Sequence, residues 1–323
     1  MVNMKFSLAL VACLAGQALA SPTATKSMGK RATVSDAAHG YASQNGGTNG
    51  GAGGTTTTVS SYAQFTAAVF SDDAKIVYID GPISQQAKQV RVGSNTSIIG
   101  KNANAVLEGF GLLVKEKKNI IIRNLGIKNL LAANGDAIGV QYSTNIWIDH
   151  CDVSSDRDHD KDYYDGLIDF SHASDFITVS NTFIHDHWKT MLFGHSDNNA
   201  EEDTGFLHVT LNNNYLRNLN SRNPSFRFGT GHLYNNYYQD VDDGINTRLG
   251  AQLLVEGNMF EGETKPLYAT DGGFAVAKDN DFGVGVNSAP QGTLTSVPYQ
   301  YELLAVSAVK EAVSGVAGQT LTF

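Results

Sequence analysis

Six segments of this chain share one pattern: apolar, any, apolar, any, then a polar residue that is usually asparagine. They are "IIIRNLGI" (120–127), "IWIDHCDV" (146–153), "ITVSNTFI" (177–184), "VTLNNNYL" (209–216), "GHLYNNYY" (231–238) and "LLVEGNMF" (253–260). Their third residues, Ile122, Ile148, Val179, Leu211, Leu233 and Val255, stand 26, 31, 32, 22 and 22 positions apart. "KIVYID" (75–80) and "TSIIG" (96–100) extend the series at similar spacing. A period-2 strand that recurs at this interval marks one coil of a solenoid per recurrence. A sandwich would repeat its strands every 8–12 residues or so. Stacking would set the shared Asn124, Asn181, Asn213 and Asn235 roughly 4.8 Å apart, close enough for their amides to bond up a ladder. The fold expected is all-β, a right-handed single-stranded parallel β-helix with short capping helices. The coils of 26, 31 and 32 residues carry extra loop length, and longer loops on one side of a solenoid often build its site.

Composition agrees: 41% hydrophobic, only 6 Pro and 17% charged. "SSYAQFTAAVF" (60–70) and "YELLAVSAVKEAV" (301–313) have helical spacing and are expected to cover the two open ends of the core. "GGTNGGAGGTTTT" (46–58) lacks the Gly-Lys-Ser/Thr ending of a phosphate loop and reads as a surface loop.

The first residues read as targeting. A basic start at Lys5, the apolar run "FSLALVACLAGQALA" and an Ala-x-Ala end predict a signal peptide over 1–20, too short to span a membrane. Residues 21–31, ending in Lys30-Arg31, read as a propeptide, so the catalytic domain is expected to be 32–323, secreted and monomeric. Losing residues 1–31 removes Lys5, Lys26, Lys30, Arg31 and no acid, which moves the formal charge from −9 to −13. Such a chain does not favour nucleic acid or anionic membranes, and an acidic substrate would need a local cationic patch or a metal. Cys13 leaves with the signal, so Cys151 has no partner for a disulfide and reads as a buried, inert thiol. Asn95-Thr96-Ser97 is a sequon, with its occupancy open.

Acids crowd "SSDRDHDKDYYDGLID". Asp156, Asp158, Asp160 and Asp162 alternate like a calcium loop but fail its test, with Lys161 at position 6 and Leu167 at position 12; they read as a solvated loop. Asp165 and Asp169 lead into an apolar strand. Four residues apart on a straight strand is about 13 Å, so Gly166 would have to bend the chain to bring them together. Asp136, in "ANGDAIGV", could add a third oxygen ligand, and three carboxylates without Cys or His point to a hard cation, Ca²⁺ before Mg²⁺. Surface acids and caps remain the alternative. His185 and His187 in "HDHWK" lack further ligands for zinc and read as hydrogen-bonded turn residues. Lys189, Arg222, Arg227 and Arg248 each follow a repeat strand or enter the next turn, so successive coils would bring four cations to one side.

From "DGPI" to "NMFEG" the chain resembles the pectate lyases of polysaccharide lyase family 1. The resemblance rests on "GDAI", "IWIDH", "YYDGLIDF", "DHWKTMLFG", "SRNPSFR" and "NTRLG", in that order. It implies a right-handed parallel β-helix, Ca²⁺ as cofactor, and α-1,4-linked polygalacturonate as substrate, cleaved by β-elimination. It also implies that Asp136, Asp165 and Asp169 hold calcium, that Arg222 is the base, and that Lys189, Arg227 and Arg248 hold substrate. Asn134 stands where some members carry a further acid. Asp149 and His150 match a signature read as structural. Arginine is normally never deprotonated, but neighbouring cations disfavour its charged form, so an alkaline optimum is expected. A β-helical pectin hydrolase, a pectin lyase acting on the methyl ester, and a non-enzymatic polysaccharide-binding protein are the competing readings.

Overall fold

The computed structural model describes Thr33 and residues 36–323; the expected signal peptide and propeptide lie outside the described residues. The chain winds into a parallel β-helix with three parallel sheets. Sheet A has ten strands, from Thr55–Val59 to Gln252–Glu256 and Phe274–Lys278; sheets B and C have eight each. A typical coil runs from Thr144–Asp149 in sheet A through Asp152–Ser154 in sheet B to Ile168–Ser171 in sheet C. The third residues of the repeat stack in one column, Ile122 on Ile148, Val179, Leu211, Leu233 and Val255, and Val77 and Ile98 prolong it below. All are buried in one continuous core. Because side chains alternate faces along a strand, the apolar-any-apolar pattern pins this register: a slip by one residue would turn every inward group to solvent.

The asparagine ladder exists, but one residue later than expected. Asn124, Asn181, Asn213 and Asn235 are the corner residues between sheets A and B, with φ of 55°, 48°, 54° and 54°. Asparagine tolerates this left-handed conformation, and one such residue turns the chain from one sheet to the next. The turn aims the following residue inward, so the ladder runs Asn214–Asn236–Asn258–Asn280. Each Nδ2 donates to the next Oδ1, at 3.0, 2.9 and 2.9 Å. The same Oδ1 atoms accept the backbone N–H of Asn214, Asn236 and Asn258.

Only one expected cap sits on a core end. The helix Tyr62–Val69, capped by Ser61, buries Phe65 and Val69 in the core. The C-terminal helix is confined to Val306–Ser314 and lies against the outer surface, where Val309 and Val313 pack on Tyr237. Two inward residues suit a lateral contact rather than a lid. The other core end is covered by residues 281–291, bridged to the last coils at Asp281, Asn287 and Gln291, with Phe282 and Ala289 against the core. The glycine-rich segment is a strap across sheet A: Asn49 and Gly50 donate to Asn119 Oδ1, and Gly51 donates to Ser97 Oγ. A β-carbon on Gly51 would lie 1.8 Å from the Lys75 carbonyl oxygen, so only glycine passes there. Residues Thr55–Val59 then enter sheet A.

Asp149 is structural, as expected. It accepts from Arg123, His150, Ser180 and Asn181, and these partners outweigh burial to hold its carboxyl at about 2. Cys151 is fully buried, its thiol pushed up to about 12 by desolvation. Asn95 Nδ2, the atom a glycan would modify, donates to Asp72 O, and its Oδ1 accepts from Asn119.

The two kinds of asparagine are separable by mutation. Asn236→Ala strips partners from Asn214 and Leu211 O and is expected to cost about 2 kcal/mol or more in urea unfolding. Asn213→Gly keeps a residue suited to positive φ and is expected to stay within roughly 0.5 kcal/mol.

Candidate active site

Extra loop length falls on the two sides of sheet C. Residues 155–167 lead into its strand Ile168–Ser171, and residues 194–207 leave its strand Leu192–Phe193. Between them lies a cavity of about 240 Å³ lined by Asp136, Asp165, Asp169 and Arg222, with Gln141, Ser171, Leu192 and His195. Asp136 enters from the loop before Ile138–Gln141. Asp169 rises from the next strand, in register with Gly139. The chain bends at Leu167, between Asp165 and Asp169, before the strand begins, and Gly166 also leaves room for the acids: a β-carbon there would lie 2.7 Å from Asp169 Oδ1 and 2.8 Å from Asp136 Oδ1.

Each acid has a different anchor. Asp136 Oδ1 accepts Gly166 N–H at 3.0 Å and Asp169 Oδ1 accepts Leu192 N–H at 3.0 Å. Asp165 faces Lys189 Nζ at 3.3 Å, and its carbonyl receives His187 Nε2 at 2.5 Å. His187 is no turn residue. It is buried within the strand Phe183–Lys189, its pKa pushed down to about 4 by desolvation, so the neutral ring bridges Ser155 Oγ to the Asp165 backbone. Asn134 lies in a neighbouring groove, outside this cavity.

Among the described residues, no three Asp, Glu, His or Cys side chains are already gathered as a metal cluster. The electrostatics nevertheless fit a cation. Burial, then the charge of Asp165, pushes the Asp136 carboxyl up to about 6. Burial and Asp136 push Asp169 well above the usual carboxylate range, with Arg222 opposing. Carboxylates that raise one another this way are relieved by a positive charge, and an all-oxygen donor set suits a hard one.

The cations also gather, but not all are free. Lys189 is in register with Ser221, one residue before Arg222, and Arg227 with Arg248. No carboxylate stands inside "NLNSRNPSFRFG", the stretch that carries Arg222 and Arg227, yet Arg227 and Arg248 do not stand alone. Both hold Asp197, and Arg248 also holds Asp271. Lys189 pairs with Asp162 at 3.2 Å as well as with Asp165. Arg222 sits at a left-handed corner, φ 65°, and its guanidinium has no hydrogen-bond or ion-pair partner among the described residues.

Among the described residues, the Arg222 guanidinium thus lines the same cavity as three acids without a hydrogen bond or ion pair to any of them. The pectate lyase family model matches residues 11–321. The chain belongs to the pectate lyase family. It is 77% identical to a probable pectate lyase A of Aspergillus flavus and 70% identical to pectate lyase A of Aspergillus niger, over the full length of both chains in each case. A Bacillus pectate lyase crystallised with trigalacturonate is 33% identical, with a TM-score of 0.80 over 87% of this chain and 98% of its own. This enzyme is a lyase acting on pectate. Gln141, Ser171 and His195 carry no motif that separates them from other loop and strand residues, and only the fold brings them to the cavity of this pectate lyase.

The acids generate a pH prediction. Asp136 titrates near 6 when folded and roughly 3.9 when unfolded, so the folded, metal-free enzyme binds more protons between these values and loses stability as pH rises through them. With chelator, Asp136→Asn is expected to raise the melting temperature by a few degrees at about pH 8 and not at about pH 4. Calcium should raise the melting temperature of the wild type at the higher pH and not that of the variant.

Proposed function

We propose that this is a secreted, monomeric, calcium-dependent enzyme that cleaves α-1,4-linked polygalacturonate by β-elimination, giving 4,5-unsaturated oligogalacturonides. The observation that carries the reading is the unpartnered Arg222 guanidinium in one cavity with Asp136, Asp165 and Asp169. Those three acids would hold Ca²⁺, which when bound neutralises a substrate carboxylate and makes the adjacent C5 proton more acidic. Lys189, Arg227 and Arg248 stand on the same side and would anchor further carboxylates, the arginines through planar forks. Arg222 takes the C5 proton. The C5–H electrons form the C4–C5 double bond as the C4–O bond breaks, and the leaving oxygen takes a proton from solvent. His187 keeps Asp165 in place through its backbone, and Gly166 keeps the space between Asp136 and Asp169 open. A neutral guanidine is a minority species that grows with pH, so the rate should climb from acid to alkaline conditions.

The reading includes removal of residues 1–31, and N-terminal sequencing of secreted protein should begin at Ala32. The direct test is ultraviolet detection of the conjugated alkene formed from polygalacturonate. Chelator should abolish it, and Arg222→Lys should lower kcat by about 10²–10⁴. New reducing ends without alkene, insensitive to chelator, would mean hydrolysis instead.

A further inference from the structure

Arg227 and Arg248 lie side by side on adjacent rungs of sheet C and share one carboxylate. Arg227 Nε donates to Asp197 Oδ1 at 2.6 Å, and Arg248 Nη2 donates to Asp197 Oδ2 at 3.1 Å, so each oxygen serves one arginine. Neither arginine depends on Asp197 for its position. Arg227 also donates to the Gly194 carbonyl at 3.2 Å, and its β-carbon rests where Gly194 leaves no room for a side chain. Arg248 is tied separately to Asp271 at 2.8 Å. Asp197, in contrast, is 59% exposed and has no other side-chain bond among the described residues. It lies two residues past His195, which lines the cavity. The arrangement is a carboxylate seat made of two fixed cations and filled by a loosely held acid of the same chain.

We propose that Asp197 is a resident competitor for this seat: a free uronate carboxylate of the substrate displaces it and bridges Arg227 and Arg248 in its place. The proposal rests on polygalacturonate being the substrate. Asp197 is the exposed member of these pairs, 59% exposed against 11% for Arg227 and 17% for Arg248, so its attraction is screened by salt and a polyanion held at several points can displace it. A methyl ester carries no charge and cannot, which makes Asp197 a specificity-determining residue that selects unesterified stretches.

The test is Asp197→Asn beside Glu201→Gln, which removes an exposed acid from the same loop without touching either arginine. Steady-state kinetics on polygalacturonate with calcium would be paired with calorimetric binding of trigalacturonate. For Asp197→Asn, KM and the trigalacturonate Kd should both fall about two- to fivefold at low salt, the size of an exposed ion pair, with kcat unchanged. The gain should vanish at high salt and on highly methyl-esterified pectin, and Glu201→Gln should not reproduce it. An unchanged or raised KM, a fall in kcat, or an equal gain from Glu201→Gln would overturn the proposal. Wild type that forms no alkene would defeat the functional reading instead, and the binding arm would still decide whether Asp197 competes.

Discussion

Everything in this structure depends on coils stacking in register, and that register is set by two groups of residues. The inward column from Val77 to Val255 makes any slip expose the core. From Asn124 through His150, Asn181, Asn213 and Asn235 to Gly257, a single left-handed residue at the corner between sheets A and B makes these successive coils turn at the same place. The side-chain amides of Asn236, Asn258 and Asn280 then accept the backbone N–H of Asn214, Asn236 and Asn258, which such a corner would otherwise leave unpaired.

The site inherits its geometry from that stacking. Residues far apart in the chain become neighbours because equivalent positions of successive coils lie one strand spacing apart. Gly139 faces Asp169, Lys189 faces Ser221 beside Arg222, and Arg227 faces Arg248. This is how an acidic protein can act on a polyanion. Its negative charge is spread over the surface, while acids and cations that would repel their own kind are concentrated on one side of sheet C. Burial and neighbouring acids raise the proton affinity of Asp136 and Asp169, and Arg222 makes no side-chain hydrogen bond or ion pair among the described residues. The charge of Arg222 opposes the rise at Asp169, so the cation partly offsets the crowding of the acids.

The β-helix was legible in sequence because a period-2 strand recurring every 22 residues suits a solenoid coil and is too widely spaced for a sandwich. The asparagines were legible as a ladder but not in their position, since the corner residue and the inward residue are both asparagine in "NNN" and "YNN", and only φ tells them apart. The C-terminal helix has helical spacing, yet spacing does not say which surface Val309 and Val313 meet. Asp136, Asp165 and Asp169 were legible mainly through family resemblance; spacing alone left surface acids as an alternative. Asp197 could not be read at all. It is an ordinary loop aspartate, joined to Arg227 and Arg248 only by the way the coils stack.

In the proposed mechanism one cavity presents three carboxylates to a cation and Arg222 to the substrate's C5 proton. The most direct measurement is a crystal structure of the Arg222→Lys variant with Ca²⁺ and trigalacturonate. The account predicts an ion held by Asp136, Asp165 and Asp169, a sugar carboxylate on that ion, and C5 turned toward residue 222. A sugar bound with C5 turned toward a carboxylate, or an ion held elsewhere, would contradict it.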